Sequence, residues 1–474
     1  MNGSDPASLR CPRAGVLAVG ANRLAGQIMD PRPSFPDNQA GGIPMAIKFD
    51  PRPAPSFSRN TKDAPTSPAK AAASRVVDAF KPADPGLGLR SKAAHRADRP
   101  AGGSGPVDKK ERGPGLRSAK DAIAEATEFF QADRSFMSPV DQMVGGTIVK
   151  DPRDVTRVTE QDNAAALKQL EKNQALERQA LAKLTPSQRA EYLNVAKKLQ
   201  NNPQALLALQ VMLLDGRLAS PQKACNGDTL LGGLDKLANQ PLAPGMSTSD
   251  LLGQVVRELA FPASINQMDK QTCGAASLQI QLARENPAEY VRLVAGLASP
   301  SGEVKLANGD TLKREPGWDG FDLRSMSSRL LQSAFMEYAN GAEWDYDPAS
   351  DKSKGTTDAN KGLSGYGLEA SEIARLAAGL FGREAKQIPE KFVDSNGDHI
   401  ADPLTDDQAN KILASAPTVV GLKFADGRFG AHAVLVTGVR DGRVYFIDPK
   451  DGMEVSMPVA EFKQKLLNGI VGGR

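Results

Sequence analysis

The sequence predicts an α+β protein, with helices first and an antiparallel sheet last. Three observations carry that prediction. Residues 1 to about 115 are crowded with Pro, Gly, Ser, Ala and Arg and hold no sustained apolar period, so they bury too little surface to offset the entropy of ordering and read as a disordered arm. From about Ser118, segments rich in Ala, Leu, Glu, Lys and Gln place apolar residues three and four apart, the spacing of a helix face. After about Thr418 the chain turns to short β-rich runs, TVVGLKF, GAHAVLVTGV, RVYFIDP and MEVSMP, cut by ADG, RDG and KDG turns, as in a meander.

In chain order, KDAIAEATEFFQADR and NAAALKQLEKNQALERQALAKL belong to a helical region over 116–244. Thr185 with Gln188 forms a capping box with Pro186 at the first helical position, and Asn202-Pro203 starts QALLALQVMLLDG, which stops near Gly216. Gly and Pro punctuate 232–245, which places a domain boundary near Pro244. Beyond it, SDLLGQVVRELAF, the run from Cys273, PAEYVRLVAGLA, RSMSSRLLQSAFMEYANG and ASEIARLAAGLFG are the helices of a C-terminal domain over 245–474. Asn308-Gly309 marks a hairpin, DPASDKSKGTTDANKGLSGYG a polar loop, and VAEFKQKLL a closing helix.

Formal net charge is +3 over 474 residues, with both signs spread along the chain, which leaves no electrostatic footprint for nucleic acid or an anionic membrane. No stretch reaches the roughly 18 to 20 apolar residues of a membrane span. The N-terminus lacks the charged segment and continuous apolar core of a cleaved secretory signal, and Met45 offers an alternative start. Three cysteines, Cys11, Cys225 and Cys273, are too few for a disulfide framework or a zinc site. They point to synthesis in a reducing, cytoplasmic compartment, with the Ser/Pro-rich arm open to a role in export without a cleaved signal.

The histidines are as few: His95, His399 and His432. Cys11 and His95 lie in the arm, Cys225 in the polar loop KACNGDT and His399 in the acidic loop DSNGDHIAD, which leaves Cys273 with His432 as the best thiol–imidazole pair. Cys273 stands where a helix begins, so unpaired backbone N–H groups and the positive end of the helix dipole favour the thiolate. Gly274, Ala275 and Ala276 leave room for a substrate, while Leu278, Ile280 and Leu282 anchor the helix. His432 opens the strand AHAVLVTGV with Val434 and Val436 on its face. Taken singly, Cys273 serves equally as a core residue, and His432 reads first as one. Gln267, six residues before Cys273, can join the Cys273 N–H in holding an oxyanion. Asp448, sixteen residues after His432, lies on the adjoining strand.

In that order glutamine, cysteine, histidine and aspartate resemble the papain-like cysteine peptidases, and CGAASLQ, HAVLVTGV and VYFIDP resemble the bacterial branch typified by bacteriocin-leader peptidases. The resemblance covers 245–474 and implies a papain-like fold, a thiolate on a helix facing a histidine on a sheet. It makes Cys273 the nucleophile, His432 the general acid and base, Asp448 the orienter of His432 and Gln267 the oxyanion donor. The implied activity is hydrolysis of a peptide or amide bond in a protein or peptide substrate, with no cofactor required. The same triad serves deamidation or acyl transfer, and the same scaffold without turnover is a protein-binding module. Leader processing is not expected, since the stretch from Cys273 to His432 is longer than in those peptidases and no transporter spans or ATPase accompany it.

If Arg440, Asp441 and Gly442 form a three-residue loop, Val434 falls opposite Asp448, and His432 and Asp448 share a face. A two-residue loop shifts the register by one and separates them. A second constellation, Asp394, Asn396, Asp398 and Asp402 in DSNGDHIADPLTDD, is similar to a calcium loop, with His399 where glycine is expected. The plainer reading is a solvated turn before DDQANKILASA, capped by Thr405 and Gln408. Trp318 and Trp344 lie in loops, as subsite walls or buried anchors.

Overall fold

The computed structural model describes residues 117–132, 160–320, 322–389, 403–424, 431–450 and 452–472. The expected arm lies outside the described residues, with Cys11 and His95, and so do His399 and the calcium-loop residues Asp394, Asn396, Asp398 and Asp402. The described chain is mixed α+β with antiparallel sheets. Its helices are α1 (Ala119–Ala132), α2 (Glu160–Lys183), α3 (Pro186–Lys198), α4 (Pro203–Leu214), α5 (Leu230–Asn239), α6 (Thr248–Ala260), α7 (Cys273–Glu285), α8 (Pro287–Ala298), α9 (Met326–Asn340), α10 (Ala370–Phe381), α11 (Asp406–Ala414) and α12 (Val459–Lys465). No helix among the described residues is long and apolar enough to cross a membrane.

Local chemistry starts these helices. Thr185 and Gln188 exchange both bonds of a capping box at α3, Thr405 and Gln408 do so at α11, and Asn202 Oδ1 accepts from Ala205 N at 3.0 Å at α4. Helix α4 is apolar all round and is buried from Pro203 to Leu213, as such a helix must be. Its buried Gln210 bonds Asn173 and Glu177 of α2, and Tyr192 of α3 donates to Glu177, so the polar groups are satisfied where three helices meet.

Helix α5 occupies a stretch whose glycines read as punctuation. Thr229 caps it through Gly232 N at 3.2 Å, and Gly233 serves a close approach, since a Cβ there would sit 3.3 Å from Val291 Cγ1 of α8. Just before Pro244, Ala243 N bonds Ala298 O at 2.8 Å. One apolar cluster joins Leu207 and Leu231 to Leu251, Tyr290 and Leu376. Pro244 is therefore a turn inside a shared core and not a boundary between cores: the apolar faces of α4 and α5 are covered by α6 and α8.

Strands β1 (Glu303–Lys305) and β2 (Thr311–Lys313) form the expected hairpin, with Gly309 at φ 95°. The polar loop carries more order than its composition suggests. Strand β3 (Trp344–Asp347) pairs with β4 (Lys352–Gly355), and β4 with β5 (Ser364–Gly365). The main sheet contains β6 (Ala385–Ile388), β7 (Thr418–Lys423), β8 (Ala431–Arg440), β9 (Arg443–Asp448), β10 (Met453–Pro458) and β11 (Leu466–Gly472), in the order β10-β9-β8-β7-β11-β6. The meander β7 to β10 is as expected. Strand β11 is an addition, since Leu466 and Leu467 read as the end of the closing helix but begin a strand that returns to β7.

The sheet separates two apolar clusters. Ala433, Leu435 and Ile447 join the large helical cluster that holds Ala275 and Leu278 of α7, and Val434, Val436 and Phe446 join a smaller one with Ile412 of α11 and Phe462 of α12.

Candidate active site

The β8–β9 hairpin sets the geometry of the site, by a route other than the expected one. Its loop is two residues, Asp441 and Gly442, at φ 52° and 69°, with Arg440 paired to Arg443, the positive-φ turn that Asp-Gly favours. That register alone would separate His432 from Asp448. A bulge between Val436 and Gly438 restores it, so that Leu435 pairs with Ile447 and Val434 falls opposite Asp448. The extra residue sits in the strand, at Thr437, and not in the loop. His432 and Asp448 thus share a face, and His432 Nε2 lies 2.8 Å from Asp448 Oδ1.

The other ring nitrogen, Nδ1, is left for Cys273, whose sulfur and the His432 imidazole each favour the charged form of the other. Cys273 is the first residue of α7 and a half-buried free thiol. Strand β9 ends at Asp448, so its ladder with β8 stops at Leu435, and two residues on, the Ala433 N–H is among the groups that favour the Cys273 thiolate. Ser277 Oγ donates to Ala433 O at 3.2 Å and pins the first turn of α7 to the same strand.

Charge follows from these contacts. Burial pushes the Cys273 thiol up, but the hydrogen bond and charge of His432, with the N–H groups of Ala433 and Gly274, bring it below its ordinary value. Burial also works against charge on His432, yet the Asp448 carboxylate and the Cys273 sulfur outweigh it and push the imidazole up to about 10. Each group thus favours the charged form of the other. Asp448 is fully buried; its Oδ1 also accepts from Lys450 N at 2.7 Å, while its Oδ2 meets no hydrogen-bond partner.

The loop that delivers Cys273 is clamped along its length. Gln267 N donates to Pro449 O at 2.8 Å, Lys450 Nζ to Met268 O at 2.6 Å, and Gln271 N to Asp351 Oδ2 at 2.7 Å. These bonds hold Met268 at φ 52°, a conformation a non-glycine residue keeps only when its surroundings impose it. Gln267 itself is buried, and its Nε2 donates to Lys270 O at 2.6 Å, back onto its own loop.

The sequence reading missed Gln332 of α9. Fully buried, it accepts from Thr272 Oγ1 at 2.7 Å and from Arg324 Nη1 at 3.0 Å, and donates to Asn266 O at 3.0 Å and Gln279 Oε1 at 2.9 Å. It grips both ends of the loop. Thr272 is the N-cap residue of α7 yet makes no capping bond, because its hydroxyl is given to Gln332, which leaves the first N–H groups of α7 uncapped beside the sulfur. No local pattern marks a residue that acts from sixty positions away.

Other expectations fare differently. Gly274, Ala275 and Ala276 are buried, and a Cβ on Gly274 would lie 2.9 Å from Ile373 Cδ1 of α10; small residues here serve close packing and do not open an approach to the sulfur. Cys225 belongs to the loop before α5, its N–H on Glu289 at 2.9 Å. Trp318 is half-buried with the Arg329 guanidinium 5.6 Å from its ring, and Trp344 opens β3, half-buried, so neither is a fully buried anchor. No protein-family model and no curated protein matches this chain, and what the site does is read from its own geometry.

Proposed function

We propose that the chain is a cysteine-dependent hydrolase of peptide or amide bonds, papain-like in its catalytic arrangement, acting on a protein or peptide. The observation that supports this best is the grouping of Cys273, first residue of its helix, with His432 and Asp448, His432 Nε2 lying 2.8 Å from Asp448 Oδ1 and the imidazole and thiol shifting each other's ionisation. The thiolate adds to the substrate carbonyl carbon, and its oxygen takes the charge. The Cys273 N–H, with the Gln267 Nε2 hydrogen not given to Lys270, would face that oxygen. His432 passes its proton to the departing amine as the C–N bond breaks, leaving a thioester on Cys273. Water then attacks the thioester, giving a proton to His432; the C–S bond breaks, the acid leaves, and the thiolate–imidazolium pair is restored. Asp448 keeps the ring turned toward the sulfur throughout.

The test is alkylation by iodoacetamide followed by peptide mapping, paired with an assay for new N-termini on a denatured protein mixture. Label on Cys273 at a pH below the ordinary thiol range, and loss of turnover in Cys273→Ala with the circular dichroism unchanged, are the expected results. Turnover by Cys273→Ala equal to that of the parent chain refutes the reading.

A further inference from the structure

Between β2, α9 and α10 lies a pocket of about 850 Å3 that shares no lining residue with the triad. Its wall carries Glu315, Glu337, Lys313, Arg314 and Arg375. The three cations are committed elsewhere. Lys313 Nζ is 3.3 Å from Glu303, Arg314 Nη1 donates to the carbonyls of Leu297 and Ser299, and Arg375 Nη1 to that of Ala339. Glu315 is 9% exposed, and among the described residues its carboxyl group has no hydrogen-bond or ion-pair partner. Glu337 stands beside it, with Oε2 taken by Tyr346 N at 2.7 Å.

An acidic side chain buried without a partner costs free energy that a ligand can recover. Burial first, then the charges of Glu337 and Asp345, push Glu315 up to about 8 against the opposing pull of Lys313, and burial raises Glu337 as well. The environment is thus short of one positive charge. A metal ion fits poorly, since among the described residues no third His, Cys, Asp or Glu joins these two to form a ligand set. The volume suits a small organic group.

We propose that this pocket binds an organic cation, a primary ammonium or guanidinium group, with Glu315 and Glu337 as its counter-charges. The cation replaces the proton that Glu315 otherwise holds, so binding near pH 7 releases close to one proton. The site stands apart from the catalytic reading and does not require Cys273 to be a nucleophile.

The experiment is titration calorimetry of the full chain near pH 7 in buffers of different ionisation enthalpy. The probes are spermidine, for a free amine, and N-acetyl-arginine amide, for a side chain presented by a protein. Saturable binding of either probe with proton release, weakened at least tenfold by Glu315→Gln and unchanged by Cys273→Ala, is the expected result; whichever probe binds more tightly names the source. Glu315→Gln is close to isosteric, and a melting curve checks its folding. The proton release of the unaltered chain tests the proposal even if that variant does not fold. Absence of binding by both probes, binding without proton release, or equal affinity in folded Glu315→Gln overturns it.

Discussion

Replacing Asp448 tests whether the carboxylate sets the charge of the pair or merely fills space. Its Oδ1 bonds the His432 ring at 2.8 Å, and its charge and hydrogen bond are the largest influences holding that imidazole protonated against burial. A hydrogen bond to a charged group contributes about 1.5–3 kcal/mol, which at about 1.4 kcal/mol per pH unit is about one to two units. Asp448→Ala removes it, so the imidazolium is less stable, the thiolate loses its counter-charge, and the Cys273 ionisation midpoint rises by about that amount. Asp448→Asn keeps a neutral oxygen for Nε2 and for Lys450 N. Such a bond is roughly half as strong as a charged one, so the midpoint rises by about half as much. Its new amide points where Oδ2 already meets no hydrogen-bond partner, so no existing bond is lost there. The assay is the rate of iodoacetamide alkylation of Cys273 from pH 4 to 10, with the modified peptide mapped. An unchanged midpoint in Asp448→Ala, or a shift in Asp448→Asn as large as in Asp448→Ala, refutes the reasoning.

Gln332→Leu should release the Thr272 hydroxyl to cap α7 and so raise the same alkylation midpoint, and adding Thr272→Val, which cannot cap, should bring it back down; a double variant no better than the single one makes Gln332 a packing residue only. Glu315 binds its proton up to about pH 8 when folded against an ordinary 4.5. Over that window the folded state holds more protons than the unfolded, so the stability Glu315 contributes is present below about 4.5 and falls as pH rises through 8. Glu315→Gln should therefore lose less melting temperature than the parent chain between pH 5 and 9, and parallel curves would contradict this. Gly469→Ala would set a Cβ 2.4 Å from Ile412 Cγ2 and should cost about 1–3 kcal/mol by overpacking; chemical denaturation with no change in midpoint would show that α11 yields freely.

The parts of the site legible in the sequence are those where scarcity does the work. With three cysteines and three histidines, Cys273 and His432 are reached by elimination, and Asp448 by strand spacing. The route between those two strands is not legible, because Arg440 reads equally as a loop residue or a paired one, and the bulge at Thr437 has no sequence mark. Helix α5 is hidden because glycine serves close helix contact as well as turns, as Gly233 does against Val291. Capping chemistry at Thr185, Asn202 and Thr405 is legible because each acts within three residues. Gln332 is not, because its partners come from three separate stretches of chain.

The hairpin that carries His432 and Asp448 obeys a parity rule. Between the two residues the chain holds a two-residue turn and one extra residue in the bulge, and the side chains meet because the paired residues that remain are even in number. Deleting Thr437 alone would close the bulge and leave Leu435 opposite Ile447, so His432 and Asp448 would still share a face, and one residue inserted after Asp441 would only widen the turn. The bulge is thus a spare residue: the hairpin can lose one residue without losing the contact, whereas a second deletion would find no unpaired strand residue to consume and would turn Asp448 to the far side of the sheet.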